Sequence, residues 1–181
     1  MSPRQVTDQL ERSGIEYAET MAGIDMDAPG IPVDWIQPGP APAWMDVARE
    51  FTERWIHQQQ IRDAAGCPLL NARWALYPVF DTFMLALPNA LRHVDAPVGA
   101  NVRLTIRGEA GCTWIVRKTG DGWEFGSDRG LEPIASVSLD QDTAWRLYTK
   151  GIAREVALPR IERRGDSAAI EAMVGMVTVL A

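Results

Sequence analysis

The spacing of apolar residues along this chain changes once, near residue 97, from helical periods to period-two runs. Residues 4–22 (RQVTDQLERSGIEYAETMA) set Val6, Leu10, Ile15, Tyr17 and Met21 on an approximate stripe. That stripe predicts an amphipathic helix, with Gly14 as its weak point. Residues 25–44 crowd proline and glycine into a loop, and Ile31, Val33, Trp35 and Ile36 imply that the loop lies against a core. A second helix is predicted from near Pro42 to Ala65, because proline suits a first turn and Gly66 with Pro68 gives a stop. Along it Trp44, Val47, Ala48, Phe51, Trp55 and Gln58 form one stripe, while Asp46, Arg49, Glu50, Glu53, His57, Gln60 and Ala64 form another. A third, strongly apolar helix over 73–92 is predicted to be kinked or shortened by Pro78 and Pro88 and buried at a domain junction.

Beyond Pro97, NVRLTIR alternates Val102, Leu104 and Ile106 against Asn101, Arg103, Thr105 and Arg107, the signature of a strand with one buried face. CTWIVRKTGDGWEFGS follows as a hairpin around TGDG, and IASVSLD as a further strand. DQDTAWRLYTKG predicts a short helix capped by Asp140 or Asp142. LPRIERRGD is expected as a last edge strand, and SAAIEAMVGMVTVL as a closing helix capped by Asp166 or Ser167. The expected fold class is α+β, with a helical unit over 1–97 and an α+β unit with a mainly antiparallel sheet over 98–181.

Composition narrows the function. With 181 residues, 46% of them hydrophobic and 23% charged, the chain reads as a globular protein. A net charge of −6 argues against a nucleic-acid partner, which demands a basic surface. Cys67 and Cys112 form neither a CxxC pair nor a disulfide framework, and no secretory h-region or membrane span is visible. A cytoplasmic location is the expectation. No glycine-rich phosphate loop or GxSxG elbow occurs. Asp121, Glu124 and Asp128 read as turn residues, and Cys67 as a small packed thiol, with a reactive thiol as the alternative. The arginines of the 160–164 segment suit either a carboxylate or phosphate, or an edge strand guarded by charge.

Glu53 and His57 lie one turn apart on the polar stripe of the second helix. A carboxylate and an imidazole at i, i+4 reach the same point beside a helix and can chelate one divalent metal, although a solvated polar face has the same spacing. The wider pattern of Arg49, Glu53, Trp55, Ile56, His57, Gln58, Gln59, Ile61, Arg62, Ala64 and Gly66 resembles the signature of the mycothiol-dependent maleylpyruvate isomerase family. MAGIDMDAP before it, and DTAWRLYTKG and RRGDSAAIEAM after it, resemble further parts of that family.

The resemblance implies a partial DinB-like helical bundle over 1–97, beginning at the bundle's third helix, and a sterol-carrier-like domain over 98–181. It implies Glu53 and His57 as metal ligands, Arg62 as a cofactor-binding residue and Arg154 as a substrate-binding catalytic residue. Zinc or another divalent metal and mycothiol or a similar thiol are the implied cofactors. The implied reaction is isomerisation or transfer on a small organic acid or electrophile. Three positions depart from the family pattern: no histidine precedes His57, Gln60 stands where an aspartate is usual, and Gly151-Ile152 stands where Gly-Arg is usual. The alternative is a non-catalytic module that binds an apolar small molecule or a partner protein. A homodimer is expected, because pairing two copies would bury the apolar stripes that half a bundle leaves open.

Overall fold

The computed structural model describes residues 1–36 and 39–178. Its centre is a five-stranded sheet in the order β3-β2-β1-β4-β5. The strands are β1 (Asn101–Arg107), β2 (Cys112–Lys118), β3 (Trp123–Phe125), β4 (Ala135–Asp140) and β5 (Glu162–Gly165). Three of the four pairings are antiparallel, and β1 with β4 is the parallel one. The alternation seen in β1 is realised in register: Val102, Leu104 and Ile106 are buried beside Ala135, Val137 and Leu139 of β4. Arg103 and Thr105 face outward, aligned with Ser136 and Ser138.

The helices are α1 (Pro3–Ala22), α2 (Ala43–Ala64), α3 (Arg73–Met84), α4 (Leu87–Ala90), α5 (Gln141–Tyr148), α6 (Arg154–Ala157) and α7 (Ser167–Val174). Asp140 caps α5 through Thr143 N at 2.9 Å, and Asp166 caps α7 through Ala169 N at 2.8 Å. The apolar stretch 73–92 divides at Leu85 and Ala86. Pro78 sits within α3, whereas Pro88 occupies the first turn of α4, where a missing N–H costs nothing. The edge strand at 162–165 is shorter than expected, because Leu158–Arg160 winds into a 3₁₀ turn. Positions 37–38 of the proline-rich loop and 179–180 of the closing segment lie outside the described residues.

One buried cluster joins the helices to the sheet. It includes Trp55, Leu76, Phe80 and Phe83 together with Leu104, Val137, Trp145 and Met173. Trp55 meets Trp145 edge to face at 5.8 Å. Beside that contact the Arg146 guanidinium takes Asp63 in a two-pronged pair at 2.7 and 2.9 Å, and its Nε donates to Asp142 at 3.0 Å. α2 is thereby fixed to α5 by both an aromatic and an ionic contact.

The buried face of α2 is not the stripe expected from the sequence. Met45, Thr52, Trp55, Ile56 and Gln59 are buried, while Trp44 and Phe51 are exposed. The two polar residues are tolerated inside because each is bonded. Thr52 donates to Ala48 O at 2.8 Å. Gln59 accepts from Leu70 N at 2.7 Å and donates to Asn71 Oδ1 at 3.1 Å.

Replacing Gln59 with leucine should strand these loop groups and lower stability by roughly 1–3 kcal/mol. A fall in the urea midpoint at constant slope measures this, and an unmoved midpoint refutes it. The hydrogen bond from Arg146 holds the Asp63 carboxyl below its ordinary range. Its contribution to stability is therefore present above the unfolded carboxylate value of about 3.9 and is lost as pH falls through the lower folded value. Denaturation midpoints measured across acidic pH should vary less in Asp63→Asn than in the parent chain, and identical pH profiles would exclude this role.

Candidate functional site

α2 ends in a turn that only a left-handed residue closes easily. Gly66 has φ of +64°, Gly66 N donates to Asp63 O at 3.1 Å and Cys67 N to Arg62 O at 2.8 Å. The chain then runs back along α2, and Trp55 Nε1 donates to Leu70 O at 3.1 Å. Arg62 Nη1 donates to Pro68 O at 2.9 Å. Trp55, Gln59 and Arg62, three residues of the sequence signature, thus act together on the backbone of the loop that follows their own helix.

On its other side α2 faces α1. Ser2 and Gln5 close a reciprocal cap at the start of α1, yet no residue of this helix is buried. The stripe of Val6, Leu10 and Ile15 is present and lies in solvent. Arg54 reaches across from α2 and stacks on the Tyr17 ring at 3.9 Å. Between the two helices runs a groove of about 820 Å³ lined by Leu10, Ser13, Glu50, Arg54, His57, Gln58, Ile61, Arg62 and Cys67. Leu10 and Ile61 are 71% and 69% exposed, so its apolar walls have no cover among the described residues. Cys67 is exposed rather than packed.

Glu53 and His57 point the same way, with His57 Nε2 at 3.5 Å from Glu53 Oε2. Partial burial raises the Glu53 carboxyl above its ordinary range, and the positive charges of His57 and Arg49 offset part of that rise. The second ring nitrogen of His57 lies 3.1 Å from Gln60 Oε1. The pair offers a metal two donors, and among the described residues no group of three His, Cys, Asp or Glu side chains is placed to hold an ion. Two donors alone do not complete a catalytic zinc centre, which takes three protein ligands. His93 is exposed in the turn after α4.

Of the residues singled out from the sequence, His57 and Arg62 share the groove, and Glu53 adjoins it through His57. Arg154 opens α6 and pairs with Glu171 of α7, which ties those two helices together. The apolar role of Ile61 is not legible in the sequence, since it sits among polar neighbours of the helix. Among the described residues no helix is long and apolar enough to cross a membrane.

No protein family model matches the chain, and no curated protein matches it. Among solved structures, the chain is similar to sterol carrier protein 2 like 2 from Aedes aegypti, at 19% identity and a TM-score of 0.39, over 54% of this chain and 95% of that one. The palmitated form of that Aedes aegypti protein gives 18% identity and a TM-score of 0.35 over 52% and 90% of the two chains. Sterol carrier protein 2 from Yarrowia lipolytica, in its apo form, gives 15% and 0.33 over 80% and 92%. These superpositions are loose, and none bears on ligand or activity.

Proposed function

We propose that this chain is a non-catalytic module that binds an apolar small molecule in the groove between α1 and α2. The supporting observation is the pair Leu10 and Ile61, two large aliphatic side chains left mostly in solvent on the walls of one groove. Fully covering such a side chain contributes about 1.5–3 kcal/mol, so two of them contribute at most about 3–6 of the roughly 8 kcal/mol that a micromolar affinity represents. The lining also carries Arg54, His57 and Arg62, with Glu50 beside Arg54. A ligand with an apolar body and a polar end would match this division, because pockets of this kind bind by apolar contact and orient by a few polar groups.

A second reading keeps the metal- and thiol-dependent isomerase or transferase. It is favoured by the approach of Glu53 to His57 and by the presence of His57, Arg62 and Cys67 around one groove. In this reading residues 1–97 are part of a DinB-like bundle, and a second copy of the chain completes both the bundle and the donor set. A bound divalent cation would supply the charge that keeps a thiol deprotonated at neutral pH.

Titration with a fluorescent polyene fatty acid tests the first reading. Leu10→Asp and Ile61→Asp should each weaken binding about ten-fold or more, equivalent to about 1.4 kcal/mol, with circular dichroism unchanged. Val98→Asp, at another exposed apolar residue, should leave affinity alone. Equal affinity in all three variants would remove the groove as the site. Metal analysis of protein purified without a chelating column tests the second reading. It requires about one zinc per chain or per pair of chains, lost in the Glu53→Ala/His57→Ala double variant. A metal-free protein after incubation with zinc would eliminate it.

A further inference from the structure

The outer face of the sheet carries a second site, of opposite chemistry and independent of the groove beside α1. The register sets Arg103 of β1, Ser136 of β4 and Arg164 of β5 in one row across three neighbouring strands. Strands lie about 4.8 Å apart, so the two arginine backbones flank Ser136 at roughly 10 Å from each other. The adjoining row on the same face holds Thr105, Ser138 and Glu162. These residues, with Glu132 on the wall, line a groove of about 550 Å³.

The other charges nearby are largely engaged. Arg107, outside the groove, donates to Ser138 at 2.7 Å and to Glu162 at 2.9 Å, which neutralises Glu162. Asp128 takes only one amino group of Arg103, at 3.0 Å, and leaves its buried Nε without a partner. Among the described residues no ion pair engages Arg164 or Glu132, and no hydrogen bond engages the Ser136 hydroxyl. What these contacts leave is a fork of guanidinium donors around a hydroxyl, with Glu132, of the two carboxylates in the lining, unpaired among the described residues.

From this arrangement we propose that the outer sheet face binds a small zwitterion, a molecule that bears both a carboxylate and an ammonium group. Its carboxylate lies over Ser136 between Arg103 and Arg164, since guanidinium groups match a carboxylate with paired, charge-assisted hydrogen bonds. Its ammonium group faces Glu132. The nearly balanced charge of the groove selects against phosphate, whose second negative charge Glu132 would repel.

Nuclear magnetic resonance of the labelled full chain tests this, with glycine, acetate and inorganic phosphate as probes. Glycine should give saturable shifts confined to the amides around Arg103, Ser136 and Arg164, and should bind more tightly than either acetate or phosphate. Arg164→Gln and Ser136→Ala should each weaken glycine binding, the former about ten-fold. Glu132→Gln should weaken glycine yet strengthen acetate, a crossing of effects that mere loss of folding cannot produce. Absence of saturable shifts, acetate or phosphate binding as tightly as glycine, or glycine binding indifferent to Arg164→Gln would each overturn the proposal.

Discussion

The grip of α2 on the loop that follows it organises this molecule. A helix that turns back on itself through Gly66 leaves loop N–H and C=O groups beside its own buried face, where they need partners. Gln59 satisfies two groups of that loop, and Trp55 and Arg62 each take a carbonyl. Because the loop is fixed, α3 begins at a set point and its apolar residues enter the same core as the sheet. The contact of Trp55 with Trp145 and the pairing of Asp63 with Arg146 then fix α2 over α5. Three residues of the signature, Trp55, Gln59 and Arg62, thus fasten the helix to the loop that follows it.

That fastening shows where sequence reading works and where it stops. β1 is legible because period-two alternation records burial directly, and the caps at Asp140 and Asp166 are legible because capping is local. The parallel pairing of β1 with β4 leaves no such trace, since strand partners are chosen by the whole chain. Neither does the pairing of Asp63 with Arg146, whose members lie 83 positions apart. The buried face of α2 departs from its apparent stripe because Thr52 and Gln59 look like surface residues until their partners are known. The stripe on α1 does mark a helix, but periodicity cannot tell whether anything covers it. For the site, the sequence brings out His57 and Arg62 but not Leu10 and Ile61 as groove walls, because a groove is a relation between two helices.

Two surfaces of contrasting character result. One is a groove that exposes Leu10 and Ile61 among polar side chains, and the other a polar sheet face ordered by strand register. The chain has 18 basic residues, of which only Lys118 and Lys150 are lysines. Arginine is the better choice where each cation must hold a partner in fixed geometry, as Arg62, Arg107 and Arg146 do. The net charge of −6 thus coexists with a sheet face whose character comes from a few well-placed guanidinium groups.

α1 stands apart from this pattern. It is capped at its own start by Ser2 and Gln5, and none of its residues is fully buried. Besides that local cap, the stacking of Arg54 on the Tyr17 ring ties this helix to α2. On the proposed reading, a ligand in the groove would touch both α1 and α2 and cover Leu10 together with Ile61. Such a ligand would thereby add to the hold of α1 on α2. In that case the Ser2 cap, outside the lining of the groove, would bear on binding through the stability of α1.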